Sequence, residues 1–293
     1  MKIVNIIGGI GNQMFQYAFA LSLKEKFPDE EIKLDISHFH GYGLHNGFEI
    51  EKVFGSLLPI ATKKNLKKIT YYSPNYKISR ILRRVFGYKR TEFKEPSLFT
   101  YWGDKVYSID YDCYYEGSWQ NEKYFKNIEN IIRNAFVFKH NLDERNNLLL
   151  KSIQSTNSVA IHVRRGDYLL EEAYKNICDF AYYINAIKYI KDNVDNPTFY
   201  IFSNDADWCK INILPLCGSA EVIDWNDGSE SWKDMYLMSL CNHNIIAHSS
   251  FSWWSAWLNI RKNKIVVSPR KWFNKKGIIE TPQLKDWILM DNE

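Results

Sequence analysis

The sequence predicts an α/β protein of two Rossmann-like halves facing each other across a cleft, and three observations carry that expectation. In the second half, short apolar runs of strand character alternate with helical stretches, the pattern of a parallel, doubly wound sheet. The first half opens in the same way, with a strand, a glycine turn, a helix and a second strand. The 293 residues exceed one domain of about 150, so length leaves two compact domains or one large α/β unit, and a hydrophobic content of 45% fits a globular chain with a sizeable core.

From the N-terminus, Lys2 to Ile7 reads as a buried strand, Gly8-Gly9 as a turn, and about Asn12 to Lys26 as a helix. Asn5, Asn12, Gln13 and Gln16 interrupt this apolar stretch and no small-residue cleavage site follows, so it is read as neither signal peptide nor anchor. A second strand lies near Glu31 to Asp35. Beyond Phe39 the chain is irregular: HGYGLHNGFEI, a basic segment over 61–91, and an aromatic region ending in CYYEGSWQNEKYF. A polar helix at about Asn141 to Thr156 leads into the second sheet, and the boundary is drawn there, with domains 1–150 and 151–293. The second sheet takes strands from Val159–Val163, Phe199–Ser203, Ala220–Asp224, Asn244–His248 and Lys264–Ser268. They alternate with helices in AYYINAIKYIKDN, SESWKDMYLMSL and SFSWWSAWLNI. The chain contains no internal repeat and no low-complexity tract.

The net charge of +4 is unevenly spread: residues 61–91 carry ten Lys or Arg and no Asp or Glu, so the rest of the chain is net acidic. Within that segment Ile78, Ile81, Leu82, Val85 and Phe86 fall at helical spacing beside Arg80, Arg83 and Arg84. Two readings stand: a basic amphipathic helix on an anionic membrane surface, or a solvated helix packed on its own domain. Five scattered cysteines without a C-x-x-C pair favour reduced thiols over disulfides or a zinc cluster. The chain is expected to be soluble and cytoplasmic, peripheral to the inner face of the plasma membrane if residues 61–91 bind lipid. No nucleic-acid partner is expected.

Ligands of open parallel sheets bind beyond the carboxyl ends of the strands. In the second half that rule gathers His162, Arg164, Arg165, Asp167 and Tyr168 from the first strand and Ser203, Asn204, Asp205 and Asp207 from the second. Asp224 comes from the third, and His248, Ser249, Ser250 and Ser252 from the fourth. Two arginines at the mouth of a buried sheet call for an anion, and guanidinium forks suit phosphate oxygens, so a diphosphate is the natural ligand. The serine run at a helix start adds hydroxyls, N–H groups and the positive end of the helix dipole. The plainer reading is that Ser249 or Ser250 caps its helix while Asp167 pairs with an arginine.

Three other motifs compete. Arg165-Gly166-Asp167 spells an adhesion tripeptide, but it follows a buried strand. Asp205-Ala206-Asp207 has the D-x-D form that holds a divalent cation on a nucleotide diphosphate, although Arg164 and Arg165 already supply positive charge. GGIGNQM places Met14 where a dinucleotide turn needs its third glycine, which argues against NAD. That loop still carries the amides Asn12 and Gln13, which serve either a ligand or the helix that follows.

GGIGNQMFQYA, GSWQNEKYF (Gly117 to Phe125), HVRRGDY (His162 to Tyr168), SNDADWC (Ser203 to Cys209) and SSFSWWSAWL (Ser249 to Leu258) together resemble the bacterial α-1,2-fucosyltransferases of glycosyltransferase family 11. His248 stands where that pattern leads one to expect Asn. The resemblance implies a GT-B architecture and inverting transfer of L-fucose from GDP-L-fucose to the 2-hydroxyl of a β-galactoside in bacterial surface glycan synthesis. It implies no required metal or other cofactor, the nucleotide on the second domain and the acceptor on the first. It also suggests catalytic roles for Arg164 at the leaving phosphate and Asn12 near the reacting centre. Together with the strand-end rule, the donor site is expected to draw on His162, Arg164, Arg165, Asp167, Tyr168, Gln13, Ser203, Asp205, Asp224, Ser249, Ser250, Phe251 and Ser252.

In such a transfer the arginines, aided by Ser250 and Ser252, stabilise charge growing on the β-phosphate, Asp167 orients an arginine, and Asp205 or Asp224 reads ribose or guanine. The base stays open among Asp35, His45 and Glu49, with late proton transfer to a phosphate oxygen as a further route. Trp119 and Tyr124 stack on the acceptor or belong to the core. The rival functions are a carbohydrate-binding, lectin-like protein without turnover and a metal-dependent transferase of another nucleotide sugar. A glycosidase would need a facing carboxylate pair that no spacing here defines.

Overall fold

The computed structural model describes residues 1–40, 45–55, 57–275, 277–278 and 280–291; the side chain of Asp167 lies outside the described set. The chain divides into two units, Met1–Lys139 and His140–Glu293, each with its own parallel sheet.

Unit 1 runs β1 (Lys2–Asn5), α1 (Ile10–Lys26), β2 (Ile32–Asp35), α2 (Ile50–Phe54), α3 (Lys63–Ile69), α4 (Tyr76–Phe86), β3 (Glu92–Lys94), α5 (Gly103–Val106), β4 (Cys113–Glu116) and α6 (Glu129–Ala135). Its sheet order is β2-β1-β4-β3, every pair parallel. Helix α1 is buried on most of its circumference, with Met14, Phe15, Tyr17, Ala18 and Phe19 essentially inaccessible. That explains its signal-peptide appearance: a helix packed on several sides loses the polar stripe of a surface helix. Trp119 and Tyr124 are core residues. Trp119 is fully buried, stacked at 4.0 Å on Phe19, and Tyr124 meets it edge-on at 5.6 Å. They do not form an acceptor platform.

Helix α4 departs from the expected arrangement. Arg83 is buried, its Nε donating to Glu92 at 2.9 Å and its Nη1 lying 3.2 Å from Glu116, with Nη2 donating to Thr70 Oγ1 at 2.6 Å. Sequence spacing grouped it with the exposed cations, whereas it anchors the helix to β3 and β4.

Unit 2 runs α7 (Glu144–Ser155), β5 (Asn157–Val163), α8 (Phe180–Asn193), β6 (Pro197–Ser203), α9 (Ala206–Asn212), α10 (Leu214–Cys217), β7 (Ala220–Ile223), α11 (Trp232–Leu240), β8 (His243–Ile245), α12 (Ser250–Leu258), β9 (Val266–Pro269) and β10 (Ile288–Met290). The sheet order β10-β9-β8-β5-β6-β7 is the dinucleotide-fold order 3-2-1-4-5-6 read from its other edge. β5 and β6 pair along their length from Asn157↔Pro197 to Val163↔Ser203. Both are buried on both faces along most of their length, as apolar runs in a parallel sheet require. β10 was not anticipated, being three half-buried residues at the sheet edge.

The boundary falls at 139–140, not 150–151, because α7 belongs to unit 2. Asn146 donates to Asn226 Oδ1 at 2.9 Å, and Asp143 caps α7 while accepting from Lys233 at 2.6 Å. All five cysteines are buried and unbridged. No described helix is long and apolar enough to cross a membrane.

Removing Arg83 would strand two acidic partners. Arg83→Met is expected to cost roughly 3–5 kcal/mol of stability, read as a lower midpoint in urea denaturation.

Candidate active site

The strand order of unit 2 reverses between β5 and β8, so the loops leaving these neighbours diverge and open a crevice at their carboxyl ends. One side of this crevice is the chain after β5; the other is the start of α12.

Arg165 is held from three directions. Its N–H donates to Asn204 Oδ1 at 3.0 Å, its Nε donates to Asp205 Oδ2 at 3.1 Å, and its guanidinium carbon lies 3.9 Å from the centre of the Trp208 ring. Asp205 also caps α9, accepting from the Trp208 N–H at 3.3 Å, so one carboxylate ties the helix to the arginine. At Gly166 a Cβ would come within 2.5 Å of Asn204 Nδ2, so the amide that holds the Arg165 N–H would have to shift. The Arg164 guanidinium carbon lies 5.3 Å from the Tyr168 ring centre, a cation–π distance. Tyr168 stacks on Tyr174 at 4.4 Å and tilts against His248 at 4.8 Å.

Two imidazoles lie beneath this rim. His162, on β5, packs 5.5 Å from Phe251, and its carbonyl accepts from Tyr183 O–H at 3.1 Å. His248 Nδ1 is hydrogen-bonded to Cys178 Sγ at 3.1 Å. Burial, reinforced by Arg164 and His248, pushes His162 down to about 3, and burial pushes His248 down to about 3. Both rings are therefore neutral near pH 7, and the fixed positive charge of the rim comes from the arginines.

Several expected ligand residues are committed elsewhere. Ser252 is fully buried and donates to Ala247 O at 3.2 Å and Ser249 O at 3.4 Å, which makes it part of the β8–α12 turn. Ser249 caps α12, accepting weakly from Phe251 N–H at 3.4 Å. Ser203 Oγ accepts from Asp205 N–H at 2.9 Å and shapes the turn after β6. Asp205 is bonded to Arg165 and caps α9. Asp224 is ion-paired to Lys210 at 2.7 Å, and β6 stands between its strand and β5, so it is not at the rim itself. Ser250 and Phe251, half-buried, open α12 at the crevice. The Asp167 side chain is outside the described residues.

Unit 1 has a second loop cluster where β1 and β4 end. Gln13 is fully buried: its Nε2 donates to Gly8 O at 2.9 Å and Gly47 O at 2.8 Å, and its Oε1 accepts from Glu49 N–H at 2.8 Å. It therefore knits loops together instead of touching a ligand. Asn12 accepts from Gln120 Nε2 at 2.8 Å and remains half-exposed beside Gly8, whose φ of 80° suits glycine. Asp35 accepts from Ser37 N–H at 2.9 Å and Tyr114 O–H at 2.8 Å, a structural pairing. Glu49 is buried and raised above the ordinary carboxylate range by desolvation, while His45 is exposed at the Gly9 turn.

Sequence reasoning passed over Glu95. Its Oε2 accepts from Ser118 N–H at 2.6 Å and Trp119 N–H at 3.3 Å, and burial pushes its carboxyl up to about 7. It also passed over Asn204 and Trp208 as supports of Arg165, and over Tyr174. The first two stand inside the SNDADWC run; Tyr174 had no pattern around it.

Lowered imidazoles leave a mark on stability. Between about pH 6.5 and pH 3 the unfolded chain takes up a proton at each ring that the folded chain resists, so stability falls as pH drops through that window. His248→Asn removes one ring. Chemical denaturation at about pH 7 and about pH 5 should show the wild type losing more stability than the variant, by up to about 1.4 kcal/mol per pH unit.

The profile of Glycosyl transferase family 11 matches residues 1–291. An alpha-1,2-colitosyltransferase of Escherichia coli is 34% identical, over 99% of this chain and 98% of that protein. The O-antigen biosynthesis glycosyltransferase WbnK of Escherichia coli is 30% identical over 91% and 93%. A galactoside alpha-(1,2)-fucosyltransferase 1 of Aotus azarae is 32% identical, over 46% of this chain and 40% of its own length. Among solved structures, fucosyltransferase NodZ from Bradyrhizobium shares the fold, with a TM-score of 0.54 at 12% identity over 88% of this chain and 92% of that one. The α/β architecture of two parallel-sheet units is the GT-B class. With its motifs in family order and the match running through both units, the chain belongs to Glycosyl transferase family 11.

Proposed function

We propose that this glycosyltransferase moves L-fucose from GDP-L-fucose to the 2-hydroxyl of a β-galactoside, forming an α-1,2 linkage with inversion in the assembly of a bacterial surface glycan. The observation that carries the reading is the Arg164-Arg165 pair placed at the β5–β8 strand reversal beside the start of α12. Guanidinium forks and helix N-terminal N–H groups both favour phosphate oxygens. The diphosphate binds at this rim, and the nucleoside extends across the end of β6 toward Asp224.

As the bond to the sugar breaks, positive charge develops on its anomeric carbon and negative charge on the β-phosphate. Arg164 meets the departing phosphate. Arg165, fixed by Asn204, Asp205 and Trp208, is already in place and needs no reorganisation during the reaction, the condition under which electrostatic stabilisation is most effective. The neutral His162 and His248 pack the floor without adding a competing charge. Asp205 pairs with Arg165 and Asp207 lies 3.9 Å from Lys210, which favours a reaction without a required metal over use of the D-x-D pair. Unit 1 binds the acceptor, with Asn12 near the reacting centre.

The colitosyltransferase, similar along its full length, favours a second reading in which the donor is GDP-L-colitose. Colitose is L-fucose without its 3-hydroxyl, so the two readings differ at one contact. A site that hydrogen-bonds that hydroxyl rejects the analogue lacking it far more strongly than an apolar pocket rejects the reverse.

Purified protein incubated with lactose and either donor, with GDP release measured and product linkage determined by NMR, separates these readings. GDP-L-fucose is expected to give the faster turnover and an α-1,2 product that persists with EDTA present. Turnover of the colitose donor alone selects the second reading, and no turnover with either donor across a panel of β-galactoside acceptors removes both. Arg164→Ala is expected to lower kcat roughly 10²–10³-fold with an unchanged circular dichroism spectrum. Full activity in that variant would remove Arg164 from the leaving-group role.

A further inference from the structure

Helix α4 is packed inside out. Its buried residues are Ser79 and Arg83, whereas Ile78, Ile81, Val85 and Phe86 are exposed, Val85 and Phe86 at 67%. At about 100° per residue, Ile78, Ile81 and Val85 form one stripe roughly opposite Ser79 and Arg83, and Lys77, Arg80 and Arg84 form a parallel stripe beside it. The inversion is built in by polar anchors: Arg83 to Glu92 and Glu116, Ser79 Oγ accepting from Ser73 N–H at 2.8 Å, and Tyr76 edge-on to His38 at 4.2 Å. Among the described residues Lys77, Arg80 and Arg84 form no ion pair. Beside the helix is a concave pocket of about 460 Å³ whose lining joins Lys77, Arg80, Arg84 and Lys94 to Tyr88 and Glu116.

An isolated exposed Ile is ordinary, but an apolar stripe on the outward face of a helix, flanked by cations, is not. The geometry points to a docking face for an anionic phospholipid surface: α4 lies flat in the interface, its apolar stripe enters the acyl boundary, and its cations meet lipid phosphates. Charge complementarity selects this occupant. A second copy of the chain would set cations against cations across a two-fold axis, whereas an anionic bilayer supplies both the charge and the apolar phase. The eleven residues of the helix extend about 16 Å.

The test is co-sedimentation of the purified full chain with phosphatidylcholine vesicles with and without phosphatidylglycerol, at low and high salt. Two exposed-face variants accompany it, Lys77→Gln/Arg80→Gln/Arg84→Gln and Ile81→Asp/Val85→Asp. The wild type is expected to sediment only with the anionic vesicles and to be released by salt. Each cation removed should lower partitioning roughly fivefold, and the three together on the order of a hundredfold. The apolar variant should also lose binding, while both variants keep wild-type transfer to lactose, which separates docking from folding and from the donor assignment. A wild type that stays in the supernatant with anionic vesicles, or variants that bind as well as wild type, overturns the proposal. So does a dimer abolished by Ile81→Asp/Val85→Asp when no vesicle binding is seen.

Discussion

Two adjacent guanidinium groups at the end of a buried strand are the constraint around which the rest of unit 2 is arranged. Charges in that position need partners, and the neighbouring loops supply them. Arg165 is tied by Asn204, Asp205 and Trp208, all delivered by the next strand and helix. Arg164 faces the aromatic wall of Tyr168, backed by Tyr174 and His248. One arginine is thereby a fixed element of the rim. Arg164 adjoins the strand reversal.

The sheet order makes that placement consequential. In a parallel sheet all carboxyl ends lie on one edge, and only where the order reverses do adjacent loops separate enough to admit a ligand. The family motifs HVRRGDY and SSFSWWSAWL leave β5 and β8, the two strands at this reversal. Buried neutral imidazoles complete the floor: they fill space against aromatic neighbours, and their lowered proton affinity is the cost of that burial.

Unit 1 uses polar residues differently. Gln13 and Gln16 are spent on loop carbonyls and amides, Gln16 accepting from Ile7 N–H at 2.8 Å and reaching Gly117 O at 3.3 Å. Those bonds hold the glycine turn and the Gly117–Gln120 loop together, and Asn12, bonded to Gln120, rides on that framework. The same unit anchors α4 by buried charge, which turns its apolar side outward.

The sequence by itself determined what depends on local pattern. The buried strands of unit 2 were legible as apolar runs because a parallel sheet covers both faces, and the rim residues followed from where those runs end. What tertiary structure decided is which polar groups remain available at that rim. Ser252, Ser203, Asp205 and Gln13 are the residue types a nucleotide site uses, but also those that cap helices and pin loops, and each is committed to such a partner. Arg83 and Arg84 are neighbours in the chain, yet one is buried against two carboxylates and the other faces outward. Spacing along a helix defines faces; only the packing of distant segments, here β3 and β4 against α4, determines which face is turned inward.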